Sequence, residues 1–150
     1  MSVPLPHTFR PFGVRIAVYV FGGLLVGVTA VIWFTFPQSI RDQFTPFQRG
    51  TVIVLGLGFL AVGWAMARSR VEAGESGLRI VNGYRSRTFD WNEVLAVSLR
   101  PGSPWAVLDL SDGTTTSVIG IQGSDGARAS RQVRELRDLV DERTRTPRND

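Results

Sequence analysis

Two long stretches without charged side chains dominate the first half of the chain. Residues 16–40 contain no Asp, Glu, Lys, Arg or His, and residues 51–67 form a second uncharged run. A helix that crosses the hydrocarbon core of a bilayer needs about 20 apolar residues, with a range of about 17–25. Apolar helices can also lie in the core of a large soluble protein, but 150 residues are too few to surround two. The pattern therefore predicts a transmembrane hairpin of two helices over residues 14–70.

The hydrophobic pattern changes from continuous to alternating after residue 70. Leu78 and Ile80 flank Arg79, and Asn82–Gly83 is a strong hairpin signal because both central positions of a type I′ turn need positive φ. Further strands are predicted at 84–91, 94–99, 105–110 and 114–121, each bounded by turn residues. Short strands at this spacing predict a small antiparallel β barrel or sandwich.

The last periodic element has helical spacing. Between residues 127 and 143 the apolar positions recur every three or four residues, at Ala129, Val133, Leu136, Leu139 and Val140. We expect this helix to pack on the strands, with Leu136 in the core and Ser124 or Asp125 as its N-cap. The predicted class is thus α+β, with a folded domain at 71–143 after the hairpin.

Both ends of the chain are predicted to be disordered tails. Residues 1–13 contain Pro4, Pro6 and Pro11, which disfavour a continuous helix. Residues 144–150 follow the last apolar position and are polar. The chain's one histidine, His7, lies in the N-terminal tail and is expected to be solvated there.

Arginines near the ends of the apolar runs predict the orientation in the membrane. Arg10 and Arg15 precede the first run, and Arg68 and Arg70 follow the second. Positive charges favour the cytoplasmic side, so both termini are predicted to be cytoplasmic in a two-span protein of the cell membrane.

A cleaved signal peptide is the alternative interpretation of the first run. Its charged start would be Arg10 and Arg15, and residues 28–30 loosely resemble a cleavage site. The apolar region of a signal peptide is usually about 7–15 residues long, shorter than this run. The length therefore favours a retained helix.

Composition excludes several kinds of chemistry. Residues 1–70 carry a net charge of +5 and residues 71–150 a net charge of −1, so the folded domain lacks the basic surface that nucleic acid requires. The chain has no cysteine and no lysine. The carboxylate pairs Asp109–Asp112 and Asp90–Glu93 flank turns, where such groups usually cap the backbone. We expect no catalytic, cofactor-binding or metal-binding residues.

Three segments resemble a known family. The sequences GLRIVNG at 77–83, FDWNEV at 89–94 and LDLSDG at 108–113, with the preceding hairpin, resemble the bacterial pleckstrin homology (PH)-like family of low molecular weight protein antigen 6. The resemblance covers about residues 15–142 and implies two membrane helices before a compact PH-like domain. Phosphoinositide-binding PH domains use basic residues around the loop between their first two strands. The matching loop is taken to be 74–77, which is acidic at Glu75.

Two functional hypotheses remain. The first is a non-enzymatic, membrane-anchored interaction module that holds a protein partner. The alternative is a lipid-responsive domain that binds phospholipid headgroups. Arg85 and Arg87, on one face of a predicted strand, are the candidate contacts for a partner or for lipid. Gly23 and Gly27 form a GxxxG pair that favours close helix packing, either within the hairpin or between two copies in a homo-oligomer.

Overall fold

The computed structural model of the chain describes residues 4–144. Its helices are α1 (Gly13–Thr35), α2 (Gln38–Arg41), α3 (Pro46–Arg68) and α4 (Ala127–Thr144). Its strands are β1 (His7–Phe9), β2 (Arg70–Ala73), β3 (Gly77–Asn82), β4 (Arg85–Asp90), β5 (Val94–Ser98), β6 (Trp105–Leu110) and β7 (Thr115–Gln122). The predicted α+β class is confirmed. The strands form a sandwich of two sheets rather than a closed barrel.

The two apolar runs form the long helices α1 and α3, which pack against each other as an antiparallel hairpin. Thr45 begins α3 with a capping box, in which its side chain and that of Gln48 each accept a backbone N–H, and Pro46 occupies the first turn. Both helices are long and apolar enough to cross a membrane. Their most apolar 18-residue windows are 0% and 6% buried.

The sandwich consists of a four-stranded and a three-stranded antiparallel sheet. The first has the order β1-β2-β3-β4 and the second the order β5-β6-β7. Asn82 at the end of β3 joins the sheets, because its amide donates to the Ser117 carbonyl and accepts the Ile119 N–H. Helix α4 packs against β5 and β7.

The buried face of α4 is the predicted one, and it meets a continuous apolar core. Leu136 is 0% exposed, which confirms its predicted place there. Trp91 is also buried, and its indole N–H donates to the carbonyls of Gly74 and Glu75. The core residues are Phe9, Val71, Ala73, Leu78, Ile80, Phe89, Trp91, Val94, Val97, Ala106, Leu108, Leu110, Val118, Ile121, Ala129, Val133, Leu136, Leu139 and Val140.

The N-terminal segment differs from its prediction as a disordered tail. Residues 7–9 form strand β1, which pairs with β2 in the register Phe9 opposite Val71 and His7 opposite Ala73. Phe9 is 0% exposed and belongs to the core, so burial of a large aromatic side chain stabilises this short strand. Residues 1–3 and 145–150, which include most of the predicted C-terminal tail, lie outside the described residues.

The position of β1 changes the topology expected from the sequence. The helical hairpin does not precede the sandwich but is inserted between its first and second strands. The acidic loop that contains Glu75 therefore joins the second and third strands, not the first and second. Its acidity is consequently no evidence about the connection between the first two strands, which is the hairpin itself.

The turn between β3 and β4 also differs in detail from the prediction. Asn82 pairs with Arg85, so the central residues of the turn are Gly83 and Tyr84. Gly83 has a φ of 60°, and no residue other than glycine has positive φ in the described part of the chain. Glycine at the first central position with negative φ at the second fits a type II′ turn rather than type I′.

Candidate functional site

The junction between the helical hairpin and the sandwich is held at the start of α1 by Asp125. The carboxylate of Asp125 accepts the N–H groups of Phe12 at 2.8 Å and Gly13 at 2.9 Å. Asp125 thus satisfies backbone donors that the first turn of a helix leaves free. The prediction that Ser124 or Asp125 caps α4 is wrong for Asp125, because both of its carboxylate oxygens accept N–H groups at the start of α1.

The end of α3 is held by the turn between β3 and β4. The Ser69 hydroxyl is buried, donates to the Ala65 carbonyl at 2.9 Å and accepts the Gly83 N–H at 2.9 Å. The Tyr84 hydroxyl donates to the carbonyl of Ala61 at 2.8 Å, further along α3. The domain is therefore attached to both long helices by hydrogen bonds as well as by the chain.

A cavity of about 160 Å³ lies between the domain-proximal ends of α1 and α3. The residues that line it come from the segment before α1, from both helices and from the start of β2. They are Arg10, Arg15, Tyr19, Trp64, Ala67, Arg68 and Arg70. Four arginines and two amphipathic aromatic residues thus line one space at this end of the hairpin.

The four arginines differ in their partners. Arg70 lies 2.6 Å from the carboxylate of Glu72, which also contacts Arg79 at 3.3 Å. The hydrogen bond from Arg70, with the charges of both arginines, lowers the pKa of Glu72. By contrast, none of the other three cavity arginines has an acidic partner within 4.0 Å among residues 4–144. These three, Arg10, Arg15 and Arg68, are called the unpaired arginines below.

The predicted contact residues Arg85 and Arg87 lie on β4 and are not among the residues that line the cavity. Both are exposed, and the Arg87 guanidinium lies 5.7 Å from the centre of the Phe89 ring. Strand β4 is the last strand of its sheet, so its outer edge has no neighbouring strand among the described residues. The structure thus places the pair on an open sheet edge.

The predicted packing glycines, Gly23 and Gly27, do not contact α3. A Cβ atom added at either position would meet nothing within 4 Å. The close approach within the hairpin instead involves Gly63, where a Cβ would lie 3.3 Å from Val18, and Gly22, where it would lie 3.4 Å from Leu60. Gly23 and Gly27 are therefore not at the close approach of α1 and α3, and their role in helix packing, including self-association, stays a prediction.

Two of the carboxylates at turns, those of Glu93 and Asp112, accept backbone N–H groups as predicted. Glu93 accepts the N–H of Asp90 at 2.7 Å in a capping box. Asp112 accepts the N–H and the hydroxyl of Thr114 at 2.8 and 2.7 Å, and these hydrogen bonds lower its pKa. Within the described residues, no group of three or more His, Cys, Asp or Glu side chains could hold a metal ion.

The sequence does not predict the cavity, although it draws attention to the four arginines that line it. The arginines were interpreted through the distribution of charge about a membrane, which does not say that they converge. One feature of the two apolar runs does indicate that the arginines and aromatic residues lie at the same end of the hairpin. Each has an amphipathic aromatic residue, Tyr19 or Trp64, within about one turn of its arginine-flanked end.

Comparison with known proteins agrees with this architecture. Residues 68–139 match a family model described as a bacterial PH domain. Uncharacterised proteins of Mycobacterium bovis and Mycobacterium tuberculosis are 33% identical over 109 residues, which cover 71% of this chain and 64% of theirs. The chain thus spans less than two thirds of the length of these curated relatives. No solved structure matches it.

The family match confirms the predicted resemblance to bacterial PH-like proteins and coincides with the sandwich from β2 to most of α4. Strand β1 lies outside the matched range, on the other side of the helical hairpin. Residues 68–139 of this chain are thus similar to the bacterial PH domain family, and here they are joined to two helices of membrane-spanning length.

Proposed function

We propose that this chain is a non-enzymatic, membrane-anchored PH-like module that holds a protein partner at the cytoplasmic surface of the cell membrane. The observation that carries the proposal is the junction, where Asp125 binds the start of α1 while Ser69 and Tyr84 bind the end of α3. A domain attached in this way has a defined orientation relative to its two anchors. Such an arrangement suits the presentation of a binding surface.

Exposure of the helices supports a membrane location. The most apolar windows of α1 and α3 are 0% and 6% buried, whereas a core helix of a soluble protein is mostly buried. Apolar patches of this extent on a folded protein mark contact with a membrane or with other proteins. Strand β1 argues against the signal peptide, since cleavage near residue 30 would remove Phe9 from the core.

The distribution of arginines supports cytoplasmic termini. The cavity arginines all lie at the end of the hairpin that carries the domain. At the other end, Arg49 donates to the carbonyls of Arg41 and Phe44 and stacks over Trp33 with its guanidinium 5.2 Å from the ring centre. The domain end therefore has more cations available to the cytoplasmic surface.

Reporter fusions test the orientation. A reporter that is active only in the cytoplasm should be active when fused at either terminus and inactive when inserted in the loop before Thr45. Full-length protein should remain in the membrane fraction after a carbonate wash. Release by carbonate, or periplasmic activity of a fusion at Asp150, would contradict the proposal.

The open edge of β4 is the proposed surface for the protein partner. An edge strand presents unpaired N–H and C=O groups that a partner segment can extend as a further strand. Arg85 and Arg87 would add charge complementarity to an acidic partner segment. Because the turn that precedes β4 is hydrogen-bonded to the end of α3 through Gly83 and Tyr84, a partner bound at this edge would be held close to the anchors.

Site-specific crosslinking in native membranes tests this surface. A photoreactive residue at Ser86, exposed on β4, should capture one reproducible partner, and the same residue at Arg134, exposed on α4, should not. The double variant Arg85→Glu/Arg87→Glu should abolish the capture. The double variant Arg131→Glu/Arg134→Glu makes the same change in net charge and should leave it intact. Equal capture from β4 and α4 would count against a specific surface.

A further inference from the structure

We propose that the cavity between the ends of α1 and α3 binds the phosphate group of an anionic phospholipid. The three unpaired arginines reach one space of about 160 Å³ from different parts of the chain. Such a space needs only about 10–15 Å³ to hold one water molecule, so this cavity exceeds what one water needs and admits a headgroup phosphate.

The chemistry of the wall favours a phosphate ligand. Guanidinium groups are planar, keep their charge and match phosphate oxygens through paired hydrogen bonds. Cations that share one cavity repel each other, and the repulsion grows where nearby lipid lowers the local dielectric constant. A bound anion would remove this repulsion and satisfy donors that have no acidic partner among residues 4–144.

The position of the cavity favours a lipid over free phosphate. Tyr19 and Trp64, which line it, are 56% and 52% exposed, so its walls continue onto the outer surface of the helices. Tyrosine and tryptophan side chains favour the level of the headgroups in a bilayer. A lipid bound by its phosphate at this level could lay its acyl chains along the exposed apolar faces of α1 and α3.

Charge near helix ends does not by itself account for this arrangement. The orientation of membrane proteins depends on how many positive charges lie near a helix end, not on whether they meet. The loop between α1 and α3 shows the contrast, because Arg49 there is engaged by two carbonyls and a tryptophan ring. At the domain end, the Arg68 guanidinium lies 5.5 Å from the centre of the Tyr84 ring, and Arg68 lines one shared cavity with Arg10 and Arg15.

Lipid retention by the full-length protein tests the proposal. The full-length protein would be purified in neutral detergent and mixed with phosphatidylglycerol, with phosphatidylcholine, or with phosphatidylglycerol plus excess inorganic phosphate. Native mass spectrometry would then count the lipid molecules that each sample retains. The wild type should retain phosphatidylglycerol in preference to phosphatidylcholine, and inorganic phosphate should not displace it. Arg15→Gln/Arg68→Gln should weaken retention roughly tenfold or more per arginine, the size expected for hydrogen bonds between charged groups.

Two matched variants separate recognition from general charge and from misfolding. Arg85→Gln/Arg87→Gln removes the same charge outside the cavity and should retain phosphatidylglycerol as the wild type does. Arg15→Lys/Arg68→Lys keeps the charge and the fold but loses the paired geometry, and should retain lipid at an intermediate level. Near-ultraviolet circular dichroism would verify the fold of each variant.

The proposal is overturned by any of three results. These are undiminished preference in Arg15→Gln/Arg68→Gln, equal loss in Arg85→Gln/Arg87→Gln, and displacement of lipid by inorganic phosphate. The inference rests on the membrane-spanning part of the proposed function and not on a protein partner. Failure of lipid retention with normal membrane integration would therefore overturn the lipid site alone, whereas release by carbonate would overturn the anchor.

Discussion

Individual polar residues determine how the sandwich is attached to the helices. Asp125 and Ser69 both lie at element boundaries, and each satisfies backbone groups of a segment distant in sequence. Gly13 has no side chain where a Cβ would lie only 2.9 Å from the Asp125 carboxylate. These contacts involve few atoms, but they set the angle between hairpin and domain.

Removal of the Asp125 carboxylate should loosen the start of α1. Asp125→Ala leaves the N–H groups of Phe12 and Gly13 without their acceptor, and loss of a helix cap typically costs about 0.5–2 kcal/mol. Thermal unfolding of the purified full-length protein measures the change. Asp125→Asn keeps only one of the two acceptor oxygens and should lose an intermediate amount of stability. Unchanged stability of Asp125→Ala would contradict the role of Asp125 as a cap.

Glu72 gives the domain a dependence on acid pH with a defined sign. Arg70 and Arg79 hold the pKa of its carboxyl below the ordinary value of 4.5. A carboxyl with a lowered pKa in the folded state stabilises that state above its ordinary pKa, and the stabilisation is lost as pH falls through the folded value. Wild type and Glu72→Gln should therefore differ in unfolding temperature at neutral pH and converge below pH 4.5. A difference that persists in acid would contradict this assignment.

The elements themselves were largely predictable from the sequence. The two long uncharged runs identify α1 and α3 by their length. The three- and four-residue spacing of apolar positions such as Val133 and Leu136 identifies α4. Strand β1 was missed because three residues between prolines give no usable period. Its stability comes from pairing with β2, which is more than 60 residues away.

The site was less predictable than the elements, for a physical reason. Sequence places Arg15 and Arg68 at the ends of two helices, but their convergence depends on the rotation of each helix about its axis. Small contacts such as that of Gly63 with Val18 fix this rotation. The GxxxG pair predicted to pack the hairpin instead faces outward, because spacing alone does not say which helical face meets the partner.

Helix α4 should be essential to the stability of the sandwich. Leu136 is 0% exposed and lies in the core that α4 shares with both sheets. Leu136→Ala should therefore cost about 2–5 kcal/mol through lost burial and the cavity left behind. Chemical unfolding measures it, with Arg134→Ala on the exposed face of α4 as control. If both variants unfold alike, α4 does not contribute its apolar face to the core.

At the scale of the whole molecule, the insertion of the hairpin predicts how the domain can be separated from its anchor. Phe9 lies opposite Val71 in adjacent antiparallel strands, so the points at which the hairpin leaves and re-enters the sheet are neighbours. A short turn should be able to replace residues 11–69 without strain.

A spliced protein in which a short glycine-containing turn joins Arg10 to Arg70 should be soluble and folded. A fragment that starts at Val71 should be markedly less stable, because it lacks β1 and exposes the core position of Phe9. Thermal unfolding and near-ultraviolet circular dichroism compare the two proteins. If the fragment is as stable as the spliced protein, β1 is dispensable for the domain.

The insertion also orders events during synthesis. Strand β1 leaves the ribosome first, yet its partner β2 follows only after both long helices. Closing a flexible loop of this length would cost conformational entropy that grows with the logarithm of its length. In the proposed membrane-anchored protein, a hairpin already assembled in the bilayer would bring the two ends together in advance and remove most of that cost. The four-stranded sheet would then be completed only after both helices have inserted into the membrane. Folding of the domain would therefore depend on insertion of the hairpin.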